Sequence, residues 1–240
     1  MSIQLSVDEM TKAGLQFGHK KSNIHPKMKP YLSGVRNTVF IIDLNKTTGL
    51  FEAALEAIRK IVAQDKVMIM VGTKVQFKKM VKETAEVCGF PVVTERWLGG
   101  TFTNFGIIKK RLDYFKDQSR KMAAGEFEKY TKKEIAVINK DLKDLERKFG
   151  GIKTLEKMPE AVFVVDMKKD KLAVKEAREN GIKVIGIADV NIDPGLADFP
   201  IIANDDAMSS VGYILNKIKE VVLAQREANL ATKPVQPEVK

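Results

Sequence analysis

The sequence has few of the residues that cross-link chains or attack substrates. It contains one cysteine, Cys88, and two histidines, His19 and His25. A single cysteine excludes a disulfide within the chain, which suits a reducing compartment. No serine or cysteine motif accompanies either histidine, so the nucleophile–base pairs of covalent catalysis are missing.

Long apolar runs are missing as well. No run approaches the ~20 residues that span a bilayer. The first ten residues, MSIQLSVDEM, lack a basic region followed by an apolar core. We therefore expect no signal peptide, no membrane partner and a cytoplasmic location.

A glycine-rich phosphate loop is also missing. The dinucleotide fingerprint needs three glycines between a strand and a helix. Residues 72–74 (Gly-Thr-Lys) follow a predicted strand, but they lack the spacer and the first glycine of a phosphate loop. A cytoplasmic nucleotide-binding enzyme of doubly wound fold therefore stays only as the alternative function.

Positive charge, in contrast, is abundant. Lys and Arg number 41 against 31 Asp and Glu, which gives a net charge of +10. This excess favours a polyanionic partner, because each neutralised phosphate releases condensed counterions. We predict a polar and basic loop over residues 18–38. Its part from Lys20 to Arg36 mixes Lys, Arg, His and Asn with Tyr31, which suits RNA; a solvated basic loop would explain the lysines but less readily the two prolines.

Short apolar runs alternate with helical patterns through most of the chain, so we predict an α/β fold. A parallel sheet covered by helices on both faces is typical of this alternation. The predicted strands are 39–42, 67–71, 91–94, 161–165, 183–188 and 200–203. The predicted helices are 5–17, one capped by Thr47 or Thr48, 75–87, 171–179 and 206–225, and residues 227–240 are expected to form a flexible tail.

Residues 104–151 interrupt this alternation. Apolar positions there recur every three and four residues in two segments, and Thr131 with Glu134 has the spacing of a capping box. We predict an inserted antiparallel coiled-coil hairpin, called the arm below. Residues 1–103 and 152–226 then form one globular αβα domain.

The arm begins just after the only tryptophan. Trp97 follows Arg96 and precedes the pair Gly99 and Gly100. We interpret Trp97 as a packed anchor at the root of the arm, and the glycines as the point where the chain leaves the sheet. These three residues form the predicted structural junction.

Five aspartates lie at predicted strand ends or helix starts, where parallel strands converge on one crevice. They are Asp43, Asp166, Asp189, Asp205 and Asp206. Such carboxylates often only cap helices. The sharper hypothesis is that His19, Asp189 and Asp205 hold a divalent metal ion, Zn²⁺ or Mg²⁺.

Several separated motifs resemble one family in the same order. They are residues 14–19 (GLQFGH), 26–29 (PKMK), 36–37 (RN), 96–100 (RWLGG) and 204–207 (NDDA). Together they are similar to the bacterial ribosomal protein S2 family of the small (30S) subunit. The resemblance implies a Rossmann-like, flavodoxin-like αβα domain with a projecting coiled coil.

The same resemblance implies a structural, non-enzymatic role in translation. Members contact 16S rRNA near the head–body junction and other small-subunit proteins, and in many bacteria they help to anchor ribosomal protein S1. The chain departs from the family pattern at Ile24, His25 and Phe40. On this reading the expected phosphate contacts are Lys20, Lys21, Lys27, Lys29, Arg36 and Arg96.

Overall fold

The structure is a computed structural model that describes residues 5–20, 22–127 and 130–232. Its strands are β1 (Phe17–Lys20), β2 (Leu32–Arg36), β3 (Val39–Ile42), β4 (Met68–Val71), β5 (Val92–Val93), β6 (Ala161–Val164), β7 (Lys183–Ala188) and β8 (Phe199–Ile202). Its α-helices are α1 (Val7–Ala13), α2 (Leu44–Ala63), α3 (Lys78–Cys88), α4 (Phe105–Ala123), α5 (Lys132–Phe149), α6 (Lys171–Glu179) and α7 (Met208–Thr232). None of the helices in the described ranges combines the length and hydropathy that a membrane-spanning segment needs.

Five strands form a parallel sheet in the order β5-β4-β6-β7-β8. Numbered within this sheet, the order is 2-1-3-4-5, which is the flavodoxin-like arrangement. Residues of β4, β6 and β7 pair in register, as in Ile69 with Val162 and Val162 with Val184. The prediction of a Rossmann-like parallel sheet is therefore confirmed.

Alternate side chains of each strand enter separate hydrophobic cores on the two faces of the sheet. Met68 and Met70 of β4 join the core that contains α2, α3 and α7. Ile69 and Val71 join the opposite core, which contains α6 and the bases of α4 and α5. Both faces are thus covered, which explains why the central strands read as continuous apolar runs.

A second, smaller sheet corrects the prediction for residues 18–42. Strands β1, β3 and β2 form an antiparallel sheet of their own, and β3 lies outside the parallel sheet. Residues 18–38 were expected to be a loop, but they contain β2, most of β1 and a 3-10 helix at Pro26–Tyr31. The apolar run 39–42 fits either sheet, and only Ile42 is fully buried.

Several element bounds differ from expectation. Helix α1 covers only residues 7–13, and α2 begins at Leu44 because Asp43 accepts a hydrogen bond from the Asn45 backbone. Thr47, one of the two predicted caps, lies inside α2 and donates its hydroxyl to the Ile202 carbonyl. Residues 227–232, expected in the tail, continue α7. Four of these six residues are Glu, Ala or Leu, which favour helix, and Asn229 donates to the Val62 carbonyl. Residues 233–240 lie outside the described residues.

The insert contains two helices, α4 and α5, that pack against each other at their bases. Ile108, Leu112 and Phe115 are buried in α4, and Leu142 and Leu145 of α5 pack against the same core. The capping box of Thr131 and Glu134 is present. A coiled-coil supertwist and the division into body and arm stay predictions.

Candidate functional site

Ionisable side chains converge at the carboxyl edge of the parallel sheet. Lys74 follows β4, Asp166 follows β6, Asp189 follows β7, and Asp205 and Asp206 follow β8. Loops after parallel strands meet at one edge, so this convergence was foreseeable for four of the five aspartates. The fifth, Asp43, is not part of it, because β3 belongs to the antiparallel sheet and Asp43 caps α2. His19 of β1 reaches the same edge from the small sheet.

Lys74 stands at the centre of the cluster. Its Nζ atom lies 2.7 Å from Asp166 Oδ2, 3.0 Å from Asp205 Oδ1 and 2.9 Å from Asp206 Oδ1. It also donates to the Asp205 carbonyl at 2.9 Å. Asp166 and Asp205 are buried, whereas Asp206 is more than half exposed. One ammonium group therefore holds three loops together.

The pKa values of these groups reflect burial and mutual charge. Burial and repulsion from Asp166 and Asp189 raise the pKa of Asp205 to about 7, against the opposing effect of Lys74. Burial alone would lower the pKa of Lys74, but the surrounding carboxylates outweigh burial and raise it. Lys74 is therefore a permanent cation, and Asp205 changes charge near neutral pH.

His19 is oriented by one aspartate and faces another. Its Nδ1 lies 2.9 Å from Asp189 Oδ2, and its Nε2 lies 3.0 Å from Asn191 Nδ2 and 3.4 Å from Asp206 Oδ2. The bond to Asp189 raises the pKa of His19 more than burial lowers it. Gly18 allows this approach, because a Cβ there would lie 2.6 Å from Val190 Cγ1.

The arrangement alters which residues could hold a metal ion. The ligand atoms of His19, Asp205 and Asp206 lie within 4.8 Å of one another. Asp189 stands behind the imidazole, in the position from which carboxylates orient metal-binding histidines. The predicted set of His19, Asp189 and Asp205 is thus brought together, with Asp206 as an additional candidate ligand and Asp189 as the orienting group.

The segment 72–74 does not have the form of a phosphate site. Thr73 uses its hydroxyl and backbone N–H to bond the buried Asp170. Lys74 points into the aspartate cluster. Phosphates approaching this edge would meet several carboxylates, so the geometry disfavours the nucleotide-binding alternative.

The predicted phosphate contacts fall on two surfaces. Lys20 ends β1, Lys27 and Lys29 lie in the 3-10 helix, and Arg36 ends β2, so these four belong to the small sheet and its connection. Arg96 lies elsewhere, in the turn after β5. All five are exposed, and Lys21 lies outside the described residues.

Most of these cations are not neutralised by the protein itself. Lys27 pairs with Asp193 at 2.6 Å, and this bond holds the pKa of Asp193 below its usual range. Within the described ranges, Lys20, Lys29, Arg36 and Arg96 form no ion pair. Their charge is available to an external anion.

The hairpin that carries Arg36 is exposed along its outer part. Residues 33–38 are all exposed, so both faces of the ribbon lie in solvent. Asn37 and Thr38 form its tip with φ values of +48° and +67°. Positive φ is rare for a β-branched residue, so Thr38 holds a strained backbone conformation.

The predicted junction is organised by a residue that sequence reasoning missed. Glu176 of α6 is buried and accepts hydrogen bonds from Trp97 Nε1 at 3.3 Å, Gly100 N at 2.8 Å and Phe102 N at 2.9 Å. Trp97 and Phe102 pack edge to face, with ring centroids 4.8 Å apart. Gly100 has φ +88°, which only glycine adopts readily.

The sequence positions of Glu176 and Lys74 gave only weak indications of their structural roles. Glu176 lies between Ala173 and Ala177, on the side of α6 that a helical wheel turns toward the core. Lys74 lies at a strand end, where the aspartates were already expected. A buried charge is rare without partners, and the sequence alone does not show the partners.

Fold and site together define a basic, flavodoxin-like α/β protein whose sheet edge is occupied by its own ion pairs. Residues 10–224 match the family model described as ribosomal protein S2. The chain is 40% identical over 224 residues to the small ribosomal subunit protein uS2 of Geotalea uraniireducens (strain Rf4), covering 93% of this chain and 88% of that relative. The chain belongs to the ribosomal protein S2 family, a class of structural proteins of the small ribosomal subunit.

Proposed function

We propose that this protein binds 16S rRNA near the head–body junction of the small subunit, in the cytoplasm, through the small antiparallel sheet and Arg96. Its other proposed partners are neighbouring ribosomal proteins, including S1. The observation that carries the proposal is a group of exposed cations on the small sheet and its 3-10 connection, Lys20, Lys29 and Arg36, which form no ion pair with any described residue. The role is one of assembly and not of catalysis.

The chemistry of the small sheet and its 3-10 connection suits RNA. Lys20, Lys29 and Arg36 offer charge that no carboxylate in the described ranges neutralises, and Arg36 adds a planar fork for phosphate oxygens. The strained tip at Asn37 and Thr38 presents polar side chains beyond the last strand pair. A strained and solvent-exposed turn is typical of a contact surface.

Salt-dependent RNA binding tests the proposal. Filter binding of full-length protein to 16S rRNA, repeated over a salt series, gives the slope of log affinity against log salt. The triple variant Lys20→Ala, Lys29→Ala and Arg36→Ala removes three phosphate contacts. We expect its slope to be less steep by about two to three, because each contact contributes about 0.7–0.9.

A matched control removes charge elsewhere. Lys79→Ala with Lys82→Ala acts on α3, where these lysines pair with Glu83 and Glu86. The control should retain the wild-type slope. An unchanged slope in the triple variant would contradict the small sheet and its 3-10 connection as the RNA contact, whatever the absolute affinity of the variant.

We also propose that residues 104–151 form a coiled-coil arm whose exit from the body is set by Arg96, Trp97, Gly99 and Gly100. The buried hydrogen bonds of Glu176 to this turn support the assignment. Deleting residues 106–149 tests whether the body or the arm carries attachment to 16S rRNA. Retained 16S rRNA binding by the folded deletion variant would place attachment in the body, and complete loss would place it in the arm.

A divalent ion at the sheet edge is a further part of the proposal. His19 Nε2 with the carboxylates of Asp205 and Asp206 supplies one nitrogen and two oxygens, a mixed set that Zn²⁺ accepts and that Mg²⁺ accepts less readily. Asp189 would hold the imidazole in the required tautomer. Such an ion would fix the small sheet to the loop after β8.

Metal content tests this directly. Elemental analysis after equilibration with Zn²⁺ should give about one ion per chain, and His19→Ala should lose it. His25→Ala is the matched control, because His25 lies outside the cluster, where it caps the 3-10 helix and its Nδ1 accepts a hydrogen bond from the Lys27 backbone N–H. Equal zinc content in wild type and His19→Ala would end the metal proposal without affecting the RNA proposal.

A further inference from the structure

A groove with an apolar floor lies between α6 and the 3-10 turn at Pro194–Leu196. Its volume is about 480 Å³, which is within the range of binding clefts. Met167 and Val174 form its buried base, at 0% and 2% exposed, whereas the half-buried Leu196 and Leu172, which is 44% exposed, present apolar surface to solvent. An exposed leucine beside a continuous apolar floor is typical of a surface that a partner covers.

Cations border this floor on one side. Lys171, Lys175 and Arg178 are spaced four and three residues apart along α6, so they share a helix face. The acid among the lining residues is Glu179, 3.8 Å from Lys175. Within the described ranges, Lys171 and Arg178 form no ion pair. The border therefore carries uncompensated positive charge.

We infer that this groove binds an acidic amphipathic helix of a protein partner. Apolar side chains of such a helix, at spacings of three and four residues, enter the groove, and its carboxylates face Lys171, Lys175 and Arg178. This interaction is additional to the proposed RNA contact and does not depend on it.

The lining favours a protein helix over RNA. Single-stranded RNA is bound by stacking bases on aromatic rings and by neutralising phosphates. Among the described residues, no aromatic side chain lines the groove, and the apolar side chains that it opens to solvent are the aliphatic Leu172 and Leu196. An apolar floor of this kind gains free energy only by burying apolar groups, which the helix supplies.

Fluorescence anisotropy of full-length protein with two designed peptides tests the inference. The probe is a labelled helix of about 18 residues with leucines on one face and glutamates elsewhere. Its counterpart carries lysines in place of the glutamates. We expect the glutamate peptide to bind at least tenfold more tightly, and to weaken as salt rises because the paired charges are exposed.

Two variants separate the apolar and the charged parts. Leu172→Gln should weaken the glutamate peptide about tenfold, and Lys171→Glu with Arg178→Glu should abolish its preference over the lysine peptide. Val87→Gln on α3 is the control, since Val87 is 52% exposed and lies outside the groove. All these side chains are exposed, so circular dichroism should show unchanged folding.

The inference is overturned by any of three results. The glutamate peptide does not bind, the lysine peptide binds as tightly, or Leu172→Gln binds it like wild type. A fourth result also counts against it. If the groove variants weaken 16S rRNA binding and leave peptide binding intact, the groove is an RNA surface.

Discussion

The carboxylate of Glu176 offers the most direct test of how the junction is held. Glu176→Gln keeps the size of the side chain and replaces one acceptor oxygen by an NH₂ donor. If the amide oxygen keeps the bonds to Trp97 and Gly100, the NH₂ group faces the Phe102 N–H. The side-chain NH₂ group and the Phe102 N–H are then two hydrogen-bond donors that face each other in a buried site without an acceptor between them.

The size of the effect follows from these bonds. Losing one charge-assisted hydrogen bond costs about 1.5–3 kcal/mol, and weakening the other two adds to it. Removal of the buried charge relieves part of this cost. We expect Glu176→Gln to lower the free energy of unfolding by about 2–4 kcal/mol, or roughly 5–15 °C in melting temperature.

Urea unfolding provides the measurement. Trp97 is the only tryptophan, so its fluorescence reports on the junction while far-ultraviolet circular dichroism reports on the whole fold. Glu179→Gln is the control, because Glu179 lies on the same helix, is half exposed and pairs with Lys175 at 3.8 Å. The control should change stability by less than about 0.5 kcal/mol.

One result would refute the reasoning. If Glu176→Gln and Glu179→Gln shift the urea midpoint equally, the three hydrogen bonds do not hold the junction. A fluorescence transition that precedes the dichroism transition in Glu176→Gln alone would instead show local loosening at Trp97.

Three further predictions concern single residues. Gly151→Ala should destabilise by about 2–4 kcal/mol, because a Cβ there overlaps the Val92 carbonyl oxygen, whereas Gly34→Ala, with open space around it, should stay within about 0.5 kcal/mol in thermal unfolding. Thr38→Gly should raise stability by about 0.5–1 kcal/mol, because it relieves the positive φ at the hairpin tip; no gain in the urea midpoint would contradict that strain. Burial raises the pKa of Asp205 to about 7, so its ionisation in the folded state costs stability as pH rises from about 4 to 7. Asp205→Asn should therefore be more stable than wild type at pH 8 in chelator, by about 2–4 kcal/mol at most, with the gain fading toward pH 5; a pH-independent difference would refute it.

The parallel sheet was predictable because its signals are local. Residues 171–179 and 183–188 have the bounds expected from their apolar patterns and from the glycine at 181 between them. The small sheet was not predictable in the same way. Residues 33–36 of β2 are exposed on both faces, so β2 lacks the alternation that identifies a half-buried strand.

The candidate site was predictable in part. Aspartates after successive strands had to meet, because parallel strands end at one edge. The roles within the cluster depend on three-dimensional detail. Only the structure shows that Lys74 forms ion pairs with three carboxylates and that Asp189 is hydrogen-bonded to His19 Nδ1. Loop conformation decides these contacts, and no residue pattern encodes it.

The two ends of the insert rest on the same part of the molecule. The chain enters α4 through the turn that Glu176 holds, and it leaves α5 at Gly151, packed against Val92 of the edge strand β5. Side chains beside both attachment points, Phe102 and Phe149, belong to the same hydrophobic core. A force applied to the connection between α4 and α5 would therefore act on that core and on the two elements that hold the insert, β5 and α6.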